Sequence, residues 1–432
     1  MSAIPARPSA YTNARLLDPA TGLDAKGGLL VKDGRIVDLG PQVFNAGIPE
    51  DAEVVECGGM CLAPGLVDMR VHLREPGEEH KETIADAGQA AVCGGVTSIA
   101  GLPNTEPVID DVAGVEFVAR RAREAKLVKV YPYGTVTRQA NGEQMTELGL
   151  LAEAGAVAFT DGLQAVANAQ MMRRALAYAR GFGLLIAQHP AEPTLCTGVM
   201  NGGELATRLG LSGIPAAAEV IMIERDLRLV EMTGGRYHAA HVTTAAALDA
   251  IREAKARGLP VTCDTAPHYF MLNENEVQDY RTFAKVSPPL RSEMDRRAVL
   301  DGLADGTIDA IASDHSAQDQ DSKRLPFAQA AFGMVGLESL LPLSLQPVQD
   351  GRMDLIDLLR CLSQRPAEIL GLEAGCLKAG APADLVLFDP DFAWRLEPDD
   401  FRSKCKNSPF TKHPVQGKVL RTVVDGRAIY QT

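Results

Sequence analysis

Pro64-Gly65-Leu66-Val67-Asp68-Met69-Arg70-Val71-His72-Leu73-Arg74-Glu75-Pro76-Gly77 reads as an apolar strand that runs into a polar turn. Alternate side chains of a strand point the same way, so Asp68, Arg70, His72 and Arg74 share one face. Four ionisable groups on one face of a buried strand are costly unless they do chemistry or hold an ion. That stretch opens a long middle region, about 62 to 375, in which strand-like and helix-like segments alternate. Thr83 to Cys93 looks helical and precedes the strand Val96-Thr-Ser-Ile-Ala. The helical pattern Met171 to Arg180 leads into Leu184-Leu-Ile-Ala-Gln-His189, and Ala245 to Arg257 leads into Leu259-Pro-Val-Thr-Cys-Asp264. Val299 to Asp305 precedes Ile308-Asp-Ala-Ile-Ala-Ser-Asp314. Repeated units of this length predict a parallel sheet, most simply a (β/α)8 barrel of the α/β class. An open doubly wound sheet is the alternative, but it calls for a Gly-rich phosphate loop after the first strand, and none stands out.

Both ends of the chain read as strands instead. Gly28 to Gly40 forms two apolar runs around Asp33-Gly34, and Val419 to Tyr430 repeats the pattern around Asp425-Gly426. Ala383 to Pro390 is also strand-like. The expected organisation is therefore a barrel over 62–375 and one small β-sandwich domain assembled from 1–61 and 376–432. A chain of 432 residues has room for both. Its net charge of -13, with no basic tract, argues against a nucleic-acid partner. No apolar run reaches the ~18 residues needed to cross a membrane, and Met1 to Pro8 lacks the apolar core of a signal peptide. The eight scattered cysteines include no Cys-x-x-Cys pair, which suits reduced thiols in a cytoplasmic protein.

Barrel enzymes place reactive groups at the C-terminal ends of strands. His72, Asn104, Asp161, His189, His241 and Asp314 all stand there. Three histidines and two aspartates converging on one mouth make a donor set suited to zinc.

The first-strand pattern resembles the Asp-x-His-x-His motif of the amidohydrolase superfamily, and Leu73-Arg-Glu-Pro-Gly77 resembles dihydroorotase specifically. Leu102-Pro-Asn-Thr-Glu-Pro107, Thr207 to Pro215, Lys285-Val-Ser-Pro-Pro-Leu-Arg291 and Pro326 to Gly333 extend the resemblance along nearly the whole chain. It is to the class I dihydroorotases, which interconvert N-carbamoyl-L-aspartate and dihydroorotate in pyrimidine synthesis. The resemblance implies a metal centre of His72, Asp161, His189, His241 and Asp314, with Asp314 as the acid and base. It also implies Arg74 and Asn104 as holders of the substrate carboxylate, with Ser287 and Gln318 at two further substrate positions. Asp161 stands where dihydropyrimidinases carry a lysine, which sets the chain apart from them.

The departures lie in the same site. Arg70 replaces a metal-binding histidine, Gln318 a histidine and Ser287 an asparagine of the family pattern. A guanidinium has no lone pair for a metal, so one zinc ion per chain at Asp161, His189 and His241 is expected in place of two. Arg70 is expected to pair with Asp314 or Asp68. Three functions follow: a dihydroorotase of weakened activity, a non-catalytic scaffold that supports aspartate carbamoyltransferase, and an amidohydrolase for another cyclic amide. A homo-oligomer is expected in each case.

Overall fold

The computed structural model describes residues 7–432. Met1 to Ala6, where most of the leader reading falls, lie outside them. Three strands, Leu66–Val71, Val96–Gly101 and Lys129–Pro132, run parallel in that order. Four more, Leu185–Gln188, Arg236–Ala239, Val261–Thr265 and Ala310–Ile311, form a second parallel set. Phe159 bridges the two sets, pairing with Gly134 on one side and Ile186 on the other. His315 pairs with Val71 and closes the ring. Closure makes this a barrel and removes the open-sheet alternative.

The helices begin where the sequence provides a side-chain acceptor. Thr83 and Asp86 form a reciprocal capping box at Ile84–Cys93. Asn168, Thr244 and Ser292 cap Ala169–Gly181, Ala245–Ala256 and Glu293–Ala304. Each such cap contributes about 1 kcal/mol. Ile84, Ala87, Ala91, Met172, Leu176, Leu248 and Ile251 bury the inward faces against the strands. One expected strand comes out shorter: Ile308 to Asp314 is regular only over Ala310–Ile311. Asp314 takes a φ of +51°, which turns the chain out of the pleat at the site.

Residues from both termini share one eight-stranded sheet. Along it lie Arg427–Gln431, Pro414–Val424, Leu385–Arg395, Cys61–Pro64, Ser9–Asp18, Leu23–Lys32 and Arg35–Gly40, with Glu53–Glu56 pairing Ser9–Asp18. Tyr11, Leu16, Leu29, Ile36, Leu62, Leu385 and Val423 pack as its core. All eight cysteines are free. No helix among the described residues is long and apolar enough to cross a membrane.

Candidate active site

The strand Leu66–Val71 is buried along its whole length, and so is the polar face it leads into. Asp68, Arg70, His72 and Arg74 are 0%, 2%, 4% and 8% exposed. Asp314, 3% exposed, is the hub of the mouth. Its Oδ1 lies 3.3 Å from Arg70 Nε, 3.0 Å from His241 Nε2 and 3.8 Å from His72 Nε2. Its Oδ2 lies 4.0 Å from His268 Nε2. Burial opposes ionisation of Asp314, but His241, His72 and Arg70 outweigh it and hold its carboxyl well below the usual range. The guanidinium of Arg70 thus goes to Asp314. Asp68 accepts the backbone N–H groups of Arg70 and Ser313, and burial pushes its carboxyl up to about 6.

The imidazoles divide into two kinds. His241 lies between two carboxylates, with Nδ1 2.8 Å from Asp264 and Nε2 3.0 Å from Asp314. Burial lowers its pKa, yet Asp314 and Asp264 together raise it to about 9. His72, His189 and His268 are pushed down by burial to about 4, 3 and 3. They are neutral bases with lone pairs. Nδ1 of His72, Nδ1 of His189 and both ring nitrogens of His268 are buried without a hydrogen-bond partner. Such orphans cost about 1–3 kcal/mol each, so a cluster of them marks a site that expects a ligand.

Among the described residues, no three His, Cys, Asp or Glu side chains stand ready as a metal-binding group. Asp161 is turned toward Thr137, which donates its N–H at 2.9 Å and its hydroxyl at 2.5 Å to the two carboxylate oxygens. Each oxygen keeps one lone pair. Neutral His189 and Asp161, fixed from behind by Thr137, have donor chemistry that suits a divalent ion, and His241, braced by Asp264, could join them only after giving up the proton it holds against Asp314. The cation of Arg70, which lies against Asp314, opposes a further cation at that carboxylate.

Arg74 has a φ of +61°, and His241 and Asp314 have φ of +54° and +51°. Non-glycine residues in this region cost on the order of 1–3 kcal/mol and tend to cluster at functional sites. Arg74 gives Nε to Ala317 O, Nη2 to Ser316 Oγ and Nη1 to Glu78, which leaves two of its five N–H groups unassigned. Asn104 gives Nδ2 to Asp161 O at 3.4 Å, and its Oδ1 is buried without a partner. A Cβ on Gly162, at φ +68°, would fall 1.6 Å from that oxygen, so glycine is required there. Gln318 gives Nε2 to Phe332 O and keeps Oε1 unpartnered, while Ser287 is half-buried before Pro288.

Several members of the site escape the sequence reading. Asp264 ends a recognised strand, and His268 lies four residues on, in the short helix Pro267–Met271, so position alone would have found both. Glu219 accepts both the N–H and the hydroxyl of Thr243 and of Thr244, fixing the loop that carries His241. It lies inside the helix Ala217–Thr233, where nothing in the sequence marks it.

A family model described as "Dihydro-orotase-like" matches residues 59–247, and one described as "Amidohydrolase family" matches residues 232–430. A dihydroorotase of Geobacter sp. (strain M21) is 46% identical over 418 residues, covering 96% of this chain and 98% of its own. That of Pelobacter propionicus is 47% identical over 420 residues, covering 97% and 98%. That of Anaplasma phagocytophilum (strain HZ) is 46% identical over 426 residues, covering 98% and 95%. The L-hydantoinase (dihydropyrimidinase) of Arthrobacter aurescens superposes with a TM-score of 0.88 at 24% identity, covering 99% of this chain and 96% of its own. The dihydropyrimidinase of Brevibacillus agri NCHU1002 gives 0.83 at 20%, covering 98% and 95%. These two share the barrel fold with its β domain. Near-full-length identity to proteins of one kind, together with both family matches, shows that the chain belongs to the dihydroorotase family of the amidohydrolases.

Proposed function

We infer that this protein is a dihydroorotase, a cyclic amidohydrolase that interconverts N-carbamoyl-L-aspartate and dihydroorotate in pyrimidine synthesis. The observation that carries the reading is the hub at Asp314, a buried carboxylate within 4.0 Å of three imidazoles at the barrel mouth. The dihydroorotases compared above agree with it and do not favour the scaffold alternative.

Arg74 receives the substrate carboxylate on its two remaining N–H groups, backed by Asn104. Bidentate capture of this kind fixes the ring as well as binding it. Ser287 and Gln318 complete the substrate pocket. Asp314 takes the proton of the attacking water and delivers it to the leaving ring nitrogen, acting as base and then acid. Asp161, His189 and His241 would hold one zinc ion, which when bound supplies Lewis acidity toward the ring carbonyl. His241, His72 and Arg70 hold Asp314 ionised, which weakens it as a base. The protein works in the cytoplasm as a homo-oligomer, with aspartate carbamoyltransferase as a candidate partner; these points rest on the resemblance.

The test is a dihydroorotate hydrolysis assay on zinc-supplied protein, run beside elemental analysis. Turnover with at most one tightly held metal per chain is expected. No turnover in either direction overturns the reading, and two stoichiometric zinc ions overturn the ligand assignment.

A further inference from the structure

We propose that Glu78 is an internal counter-ion of Arg74 that weakens the capture of carboxylated substrates and so sets the specificity of the site. This rests on the reading that Arg74 receives the substrate carboxylate. Glu78 Oε2 accepts from Arg74 Nη1 at 2.6 Å, and Glu78 Oε1 accepts from Lys81 Nζ at 2.5 Å. Burial opposes ionisation of Glu78, but Lys81 and Arg74 prevail and hold the carboxyl below its ordinary range. The contact is built by the backbone. The N–H of Glu78 donates to Arg74 O at 2.7 Å, closing the turn Arg74-Glu75-Pro76-Gly77-Glu78. A Cβ on Gly77, at φ +106°, would come within 2.5 Å of Glu106 O, so the turn has little freedom. Lys404 Nζ donates to Glu79 O and Cys405 Sγ to Lys81 O, strapping the segment from the far end of the chain.

The consequence is electrostatic. A protein carboxylate already sits on one arm of the guanidinium. A substrate carboxylate on the two remaining N–H groups, one of which shares Nη1 with Glu78, meets a group of its own sign within a few ångströms, at a site where Arg74 is buried. Lys81 offsets part of that repulsion from a half-buried position. A neutral cyclic amide meets none of it. Glu78 thus narrows the margin by which the site prefers a carboxylated ring.

The test compares wild type with Glu78→Gln, Glu78→Asp and Arg74→Gln on dihydroorotate and on dihydrouracil, which lacks the carboxylate. Calorimetric titration with N-carbamoyl-L-aspartate runs beside it. Glu78→Gln keeps an oxygen acceptor for Arg74 but removes the charge. KM for dihydroorotate and Kd for N-carbamoyl-L-aspartate are expected to fall about fivefold, with kinetics on dihydrouracil unchanged and Glu78→Asp like wild type. Unchanged or weakened binding in Glu78→Gln overturns the proposal, because Glu78 is then a strut. If Arg74→Gln binds as wild type does, the reading of Arg74 fails instead. Should Glu78→Gln not fold, Lys81→Met replaces it: leaving Glu78 opposed by Arg74 alone should raise KM for dihydroorotate, and an unaltered KM overturns the proposal.

Discussion

Two buried polar clusters lie a few residues apart in this chain, and they are built on opposite terms. In the first, Glu82 accepts from His315 Nε2 at 2.6 Å and from Ser403 Oγ at 2.5 Å. The other nitrogen of His315 accepts the N–H groups of Gly336 and Leu337 at 3.1 and 3.3 Å. Every partner is supplied by the protein, and the tautomer is fixed. In the second, around Asp314, four imidazole nitrogens and Arg70 Nη2 are buried with nothing to bond. The first cluster ties the barrel to the C-terminal segment. The second leaves its bonds for something else. Asp314 and His315 are adjacent in sequence, so what separates structure from function here is whether the polar atoms are satisfied.

The sharpest way to break this contrast is to remove a partner from each cluster. Glu82→Ala strips His315 and Ser403 of their acceptor and should cost about 3–5 kcal/mol of stability. His268→Leu removes an imidazole with no partner and should leave stability unchanged or raise it by about 1 kcal/mol. Urea unfolding of both variants measures the difference. Equal losses would mean that the mouth is as structural as the pair.

The contrast also fixes how stability responds to acid. His72, His189 and His268 have folded pKa values of about 4, 3 and 3, below the ordinary value near 6.5. Between those limits the unfolded chain binds more protons, so stability rises with pH and is lost as pH falls below about 6.5. Each such group contributes up to about 1.4 kcal/mol per pH unit, and between about 4 and 6 the carboxyls of Asp68 and Asp226, both raised to about 6, act against them. His241, raised to about 9, acts oppositely. Its contribution is complete below about 6.5 and fades as pH rises toward 9. Urea midpoints of protein held in chelator should therefore peak near pH 6.5 and fall on either side. A flat profile between pH 5 and 6.5 would show that these histidines are already solvated.

Arg74 belongs to both worlds, bonded to Ala317, Ser316 and Glu78 yet holding two N–H groups in reserve. Arg74→Ala should weaken dihydroorotate binding by about 1.5–3 kcal/mol, seen as a rise in KM. An unaltered KM in an active preparation would move the carboxylate site elsewhere.

What the sequence made legible follows the same division. The barrel was legible because apolar strands and capped helices recur at a regular spacing, and the terminal sheet because Asp33-Gly34 and Asp425-Gly426 mark hairpins. His72, His189, His241 and Asp314 were legible because strand ends converge in this fold. Contacts that depend on a rotamer or on distant chain were hidden. Nothing local says that Asp161 turns to Thr137, that Arg74 reaches Ser316 across 242 residues, or that Glu219 braces the His241 loop. The residue that departs most from the family pattern, Arg70, was plain from the first strand, and its choice of Asp314 over Asp68 needed the structure.

The last and smallest effect tests that choice. Arg70 lies 2% exposed with one guanidinium nitrogen unpartnered, so its charge is held at the mouth by the strand and not by a full set of bonds. Arg70→His removes that cation from Asp314, whose carboxyl should then rise, though His241 and His72 still hold it low. It also places an imidazole two residues from His72 on the same face of the strand, adding a ligand where the present chain offers a repelling charge. Both changes favour turnover, and if Ser287 and Gln318 hold the substrate as proposed, they limit the gain. We expect kcat for dihydroorotate to rise about tenfold, or about 1.4 kcal/mol of barrier, with metal content rising toward two per chain. A second metal without faster turnover would place the limiting step in substrate positioning. Faster turnover without a second metal would show that freeing Asp314 is enough. A loss of activity would mean that the guanidinium of Arg70 serves the reaction as it stands.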